Sequence, residues 1–272
     1  MRQDPIPATV ADRLSGAARR LRAARRSALE RVAVEETEWE YAGRTWSWPA
    51  GEARTYFREL APGEREVLDE LTAELDEVVE ARDPDALPAE SRAEVVGIGT
   101  GRVAVEITGP IGGRLEAEGP EAPDCDALVA KLARYGPSAE MGDGRPQNRR
   151  ERRIWSAVES HPFLPVLAGD PDGGWIAMPR ADVPPDESVR DEALDRVRAA
   201  LAPHRDRFHF DELKPENVGA YRGRYWIVDY GRPAGDPLFV EPPDESEPHP
   251  TGTSTEPGAD AGENPQDRSH ES

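Results

Sequence analysis

The chain has 272 residues with 54 acidic and 34 basic side chains, a formal net charge of −20 and 37% hydrophobic content, enough apolar material at this length for a substantial buried core. Charge of this sign and size argues against a nucleic-acid partner, because gripping a phosphate backbone takes a net supply of cations. A single cysteine, Cys125, excludes an intramolecular disulfide and a cysteine-built metal cage, and no run approaches the roughly 18 apolar residues of a membrane span.

The basic residues are almost all arginine, with Lys131 and Lys214 the only lysines. Abundant acid with scarce lysine reads as halophilic: at 1 M salt the Debye length shrinks to about 3 Å, so a crowded like-charged surface repels itself little. A GC-rich genome would deplete lysine as well. The first residues, Met1-Arg2-Gln3-Asp4-Pro5, lack the apolar core of a signal peptide, so a reducing cytoplasm is the expected location.

In chain order, Val10, Leu14, Leu21, Leu29 and Val32 recur at helical spacing among arginines and alanines, predicting an amphipathic helix over 10–34. Its positive face is expected to pack against acidic partners in the same molecule rather than serve as a nucleic-acid or membrane arm. Trp39-Glu40-Tyr41 and Thr45-Trp46-Ser47-Trp48 alternate aromatic with polar residues around Ala42-Gly43-Arg44, a hairpin pattern. A second helix over 62–82 places Val67, Leu68, Leu71, Leu75, Val78 and Val79 on one face. The Asp83-Pro84-Asp85-Ala86-Leu87-Pro88 stretch breaks it and marks a boundary, making residues 1–90 an N-terminal helical and hairpin module.

Beyond the break, 94–107 reads as strand, glycine turn (Gly97-Ile98-Gly99-Thr100-Gly101), strand. A further strand is expected over 127–133, helices over 145–159 and 186–201, and a strand over 225–228. After Phe239 aromatics vanish and Pro, Asp, Glu, Ser, Thr and Gly dominate, so residues 241–272 are expected to be a disordered acidic tail. The five histidines show no metal-site spacing.

Phosphoryl transfer needs a cation on the nucleotide phosphates, oxygen ligands for magnesium and a residue that positions the acceptor. Candidates for each occur in order. His209-Phe210-Asp211-Glu212-Leu213-Lys214-Pro215-Glu216-Asn217 is followed by Asp229-Tyr230-Gly231 at the end of an apolar strand, while Leu128-Val129-Ala130-Lys131 lies upstream and Glu151 follows on a predicted helix. Both lysines of an arginine-rich chain fall in these segments, where a compact ammonium differs chemically from a planar guanidinium.

This set resembles the protein-kinase superfamily: Leu213 to Asn217 match its catalytic-loop pattern by identity, and Asp229 with Gly231 match its metal-binding Asp-Phe-Gly. Over residues 91–240 the resemblance implies an α+β, protein-kinase-like two-lobed domain with a small β-rich first lobe and a short second lobe. It implies ATP and magnesium as cofactors. Lys131 would contact phosphates, Glu151 would orient it, and Asn217 and Asp229 would ligate magnesium. Gly97, Gly99 and Gly101 would approach the phosphates through their backbone, Met178 in Trp175-Ile176-Ala177-Met178-Pro179 would lie beside the adenine, and Lys214 would neutralise the transferring phosphate.

The pattern departs from the family at the catalytic base, where ungapped alignment puts Glu212 and a one-residue bulge would put Asp211. The segment that docks peptide substrates has no counterpart after Gly231, which makes a peptide-directed kinase unlike this chain and leaves the acceptor open. Two other readings stand beside a minimal phosphotransferase. One is a pseudokinase acting as a binding or scaffolding module. The other is an unrelated α+β fold in which Lys131 and Glu151 are surface charges.

Overall fold

The computed structural model describes residues 6–31, 37–41, 44–48, 59–81, 93–109, 127–136, 142–184, 186–204 and 213–231. The expected acidic tail over 241–272 lies outside them, as do Asp211 and Glu212. The two N-terminal helices form as α1, Ala8–Arg31, and α2, Pro62–Glu80. The hairpin between them pairs β1, Thr37–Tyr41, with β2, Arg44–Trp48, setting Trp39 opposite Trp46. Arg44, expected in the turn, is the first residue of β2 and pairs with Tyr41.

A five-stranded antiparallel sheet follows from β3, Ala93–Ile98, β4, Arg102–Thr108, β5, Ala127–Ala133, β6, Ala168–Gly169, and β7, Trp175–Pro179, in the order β3-β4-β5-β7-β6. Helix α3, Arg145–Val158, connects β5 to β6. The second half holds α4, Glu187–Leu201, a short 3-10 turn at Pro215–Asn217, and a hairpin of β8, Val218–Tyr221, and β9, Arg224–Ile227. Arg222 and Gly223 both take positive φ, 50° and 71°, at its tip, which suits the twist of a two-residue hairpin loop. The fold class is α+β, with four helices and this sheet among the described elements.

Strand alternation gives the sheet two chemically different faces. Val103, Val105 and Ile107 of β4, with Leu128, Ala130 and Leu132 of β5, share one buried core with Val10, Leu14 and Leu21 of α1 and Leu68, Leu71 and Leu75 of α2. Each fully buried leucine there contributes about 1.5–3 kcal/mol. The helix pair therefore lies against the outer face of the sheet and shares its core. Arg102, Ala104 and Glu106, together with Val129 and Lys131, have the opposite parity and line a cleft.

Arginines of α1 meet carboxylates across this packing, as their charge implied. Arg13 and Arg20 reach Glu74 and Glu70 at 3.6 and 3.7 Å near the surface. Arg22 donates to Asp143 at 2.7 and 3.0 Å, and the same carboxylate accepts the backbone N–H of Arg145 at 2.9 Å in the first turn of α3. Burial would raise the Asp143 carboxyl, but Arg22 and then Arg145 outweigh it and hold it below its ordinary value.

A carboxyl depressed in the folded state leaves the unfolded chain as the better proton acceptor. Its stabilisation is therefore present above the unfolded value of about 3.9 and is lost as pH falls through the lower folded value. Thermal melts from pH 6 to pH 3 are expected to show an acid slope that is shallower in Asp143→Asn, with the variant already less stable at pH 6. Parallel slopes would assign the acid sensitivity to other groups.

Candidate functional site

The cleft of about 860 Å³ is bounded by the glycine turn, the inner face of the sheet, the segment after β7 and the Lys214 to Asn217 loop. Gly97, Gly99, Gly101, Lys131, Met178, Lys214, Asn217 and Asp229 all line it. Glu151 stands directly behind, with no exposed surface. Eight candidates spread over more than a hundred residues thus converge on one cavity, with the ninth supporting it.

Lys131 projects from the middle of β5, where it pairs with Ala104 on β4 and Ile176 on β7. Its ammonium lies 2.9 and 3.1 Å from the two Glu151 oxygens and also donates to the Val228 carbonyl. With the lysine 9% exposed and the glutamate 0%, neither is a surface charge, so that alternative reading of the pair does not hold. Burial lowers the Lys131 pKa despite the opposing pull of Glu151, and the neighbouring Arg102 lowers it further.

Glu151 is a hub rather than half of a simple pair. Its Oε1 also accepts from Arg102 Nη1 at 2.8 Å and from the backbone N–H groups of Tyr230 and Gly231 at 3.3 and 3.1 Å. Those two amides belong to the Asp229-Tyr230-Gly231 segment, so the buried carboxylate fixes the turn that presents Asp229. Tyr230 anchors the same segment by donating to the Leu164 carbonyl at 2.7 Å. Burial, with the Glu151 charge behind it, pushes the Tyr230 phenol well above its ordinary value and keeps it neutral.

Asp229 lies on the cleft wall with 48% of its side chain exposed. Its Oδ1 accepts from Arg102 Nη2 at 2.5 Å. Burial on the protein side would raise this carboxyl, but Arg102 first and Lys131 next hold it well below the usual carboxylate range. Asn217 stands beside it, its Nδ2 3.5 Å from the Asp229 carbonyl. Among the described residues no group of three or more His, Cys, Asp or Glu side chains gathers to hold a metal. Magnesium, however, is commonly held by one or two protein oxygens plus substrate phosphates, and Asp229 and Asn217 supply a carboxylate and an amide of that kind.

Sequence reasoning missed Arg102, Asn148 and Arg134. Arg102 is the first residue of β4, immediately after Gly101, and shares the parity of the cleft-facing Ala104 and Glu106. An arginine directly after the glycine turn, at the head of a strand whose next three residues are apolar, was the available signal. Asn148, one helical turn before Glu151, donates to the carbonyls of Lys131 and Gly173 at 3.1 and 2.9 Å and accepts from Arg102 at 3.2 Å.

Arg134 holds the glycine turn from behind. It donates to the Gly99 carbonyl at 2.7 Å through its side chain and to the Gly101 carbonyl at 2.7 Å through its backbone. Its guanidinium also meets Glu64 at 2.6 and 2.8 Å in full burial. Gly101 and Gly144 pass so closely that a Cβ on Gly144 would collide with the Gly101 carbonyl.

No family model matches this chain. No curated protein matches it significantly either.

Proposed function

We propose that this chain is an ATP-binding protein of protein-kinase-like build, and the observation that carries the reading is the buried Lys131–Glu151 pair set behind a glycine turn and beside Asp229. In kinases a lysine on the third strand is paired with a glutamate on the following helix, and an aspartate downstream serves the metal. Here Lys131 is on the third strand of the five-stranded sheet, Glu151 on α3, and Asp229 just past β9.

The arrangement suits a nucleotide. Ala104, Val129 and Met178 offer an apolar patch for a base between the charged side chains of the inner face, and the glycine turn would offer backbone N–H groups to phosphate oxygens. Lys214 supplies an exposed positive charge on the cleft lining. Asp229 and Asn217 are the side chains that would hold magnesium, which would neutralise phosphate charge there. A second reading, the pseudokinase, is favoured by one observation: the Asp229 carboxylate already carries a guanidinium.

Thermal unfolding in concentrated KCl, with and without ATP and magnesium, tests binding. At a hundredfold excess over the dissociation constant a ligand stabilises by about 2.7 kcal/mol, or roughly 5–10 °C for a domain of this size. Wild type is expected to show that shift and the Lys131→Ala, Asp229→Asn double variant to lose it. No shift in wild type would defeat the proposal. Phosphate transfer to any acceptor, abolished by Asp229→Asn, would decide against the pseudokinase.

A further inference from the structure

The nucleotide reading leaves one residue unexplained. Arg102 puts a full positive charge inside the cleft, on the carboxylate that the resemblance assigns to magnesium. Its guanidinium is 8% exposed and held on three sides, by Glu151 at 2.8 Å, Asn148 at 3.2 Å and Asp229 at 2.5 Å. Asn148 is itself fully buried and fixed by two backbone carbonyls, so the guanidinium is positioned in advance of any ligand.

The donor count separates the two buried cations. An ammonium has three protons, and Lys131 Nζ has three acceptors around it: both Glu151 oxygens and the Val228 carbonyl. A guanidinium has five protons, and three contacts engage Arg102, two through Nη1 and one through Nη2. Its Nε proton and second Nη2 proton have no acceptor among the described residues. Arg102 lines the same cavity as the glycine turn that precedes it. The buried cation with donors to spare for phosphate is thus the arginine, whose fork also suits an oxyanion better than a point charge does.

Building on the ATP reading, we propose that Arg102 is the phosphate-binding residue of this cleft and stands in for a divalent cation, so that the nucleotide binds without magnesium. The guanidinium neutralises Asp229 and offers its remaining protons to the phosphates, two tasks that the ion would otherwise perform. Magnesium then has to share Asp229 with Arg102 and adds little to affinity.

The test compares wild type and Arg102→Gln at one fixed KCl concentration, measuring melting temperature and ATP dissociation constant in EDTA and again in excess magnesium. Wild type is expected to keep at least half of its ATP-induced shift in EDTA, with dissociation constants in the two conditions within about threefold. In Arg102→Gln metal-free binding is expected to weaken at least tenfold while binding with magnesium is largely retained, because Asp229 is released to the ion. Wild-type binding that requires magnesium overturns the inference and leaves the ATP reading standing. Equal metal-free affinity in wild type and Arg102→Gln overturns it as well. If wild type binds ATP in neither condition, both proposals fall. The wild-type comparison needs no variant, so a poorly folding Arg102→Gln does not remove the test.

Discussion

Glu151→Gln is expected to destabilise the protein by about 3–5 kcal/mol, the range for removing one partner of a buried charge cluster, and, on the proposed nucleotide reading, to abolish the thermal shift with ATP. The carboxylate receives Arg102, Lys131 and the amides of Tyr230 and Gly231. An uncharged amide leaves two buried cations short of one negative charge and turns a donor toward them. For a domain of this size the loss lowers the melting temperature by roughly 6–20 °C.

Lys131→Met removes the facing cation. In a cycle with Glu151→Gln the double variant is expected to be less destabilised than the two single losses added together, by 0.5–3 kcal/mol, the usual scale for groups in contact. Calorimetry or chemical unfolding of the four proteins measures this directly. Strict additivity would mean that Lys131 and Glu151 do not act on one another, and the nucleotide reading would lose its main support. Because both groups are buried, the coupling should change little between low and high KCl.

Glu64→Ala is the second large effect, expected at about 3–5 kcal/mol for the same physical reason. Glu64 lies in the first turn of α2, where it accepts the Ala61 backbone N–H at 2.9 Å and binds Arg134 at 2.6 Å, with Arg25 at 3.8 Å. All three side chains are at most 1% exposed. Arg25 is already strained electrostatically: burial and then Arg134 bring its pKa down to about 10, against the opposing pull of Glu64, and its Nε and Nη1 have no hydrogen-bond partner among the described residues. Removing the carboxylate strands two guanidinium groups in the core.

Arg134 also braces Gly99 and Gly101, so on the proposed nucleotide reading Glu64→Ala should weaken ATP binding, although it lies outside the cleft. Arg13→Ala is the natural control. Its pair with Glu74 spans 3.6 Å at half exposure, and pairs of that kind contribute about 0–1 kcal/mol. Equal costs for the two substitutions would show that the Glu64 cluster is solvated in solution.

The cluster around Glu64 also bears on how the N-terminal helices relate to the site. α2 carries the carboxylate, the residue after β5 carries the guanidinium, and the glycine turn between β3 and β4 accepts its protons. The helices thus stabilise the outer face of the sheet and, through the buried Glu64–Arg134 pair, the loop that faces the cleft.

Local pattern alone determined the positions of the helices and the longer strands, while the two-residue β6 and the strand β8 came only with their partners β7 and β9. Apolar residues three and four apart wrote α1 and α2, alternation wrote β4 and β5, and glycine and proline placed the breaks, because these periodicities are properties of neighbouring residues. Order and residue type likewise singled out Lys131, Glu151, Asn217 and Asp229, since motif spacing is carried along the chain. Tertiary structure decided which charges meet. Arg102 and Asp229 are 127 residues apart and Arg134 and Glu64 are 70 apart. Their pairing depends on strand order and on the register that sets Arg102 opposite Ala133 and Lys131 opposite Ala104. A one-residue slip would turn each of these side chains to the other face. Whether a buried charge is a ligand, a brace or a substitute for a metal ion is therefore set by its partners, and those partners exist only once the sheet has closed.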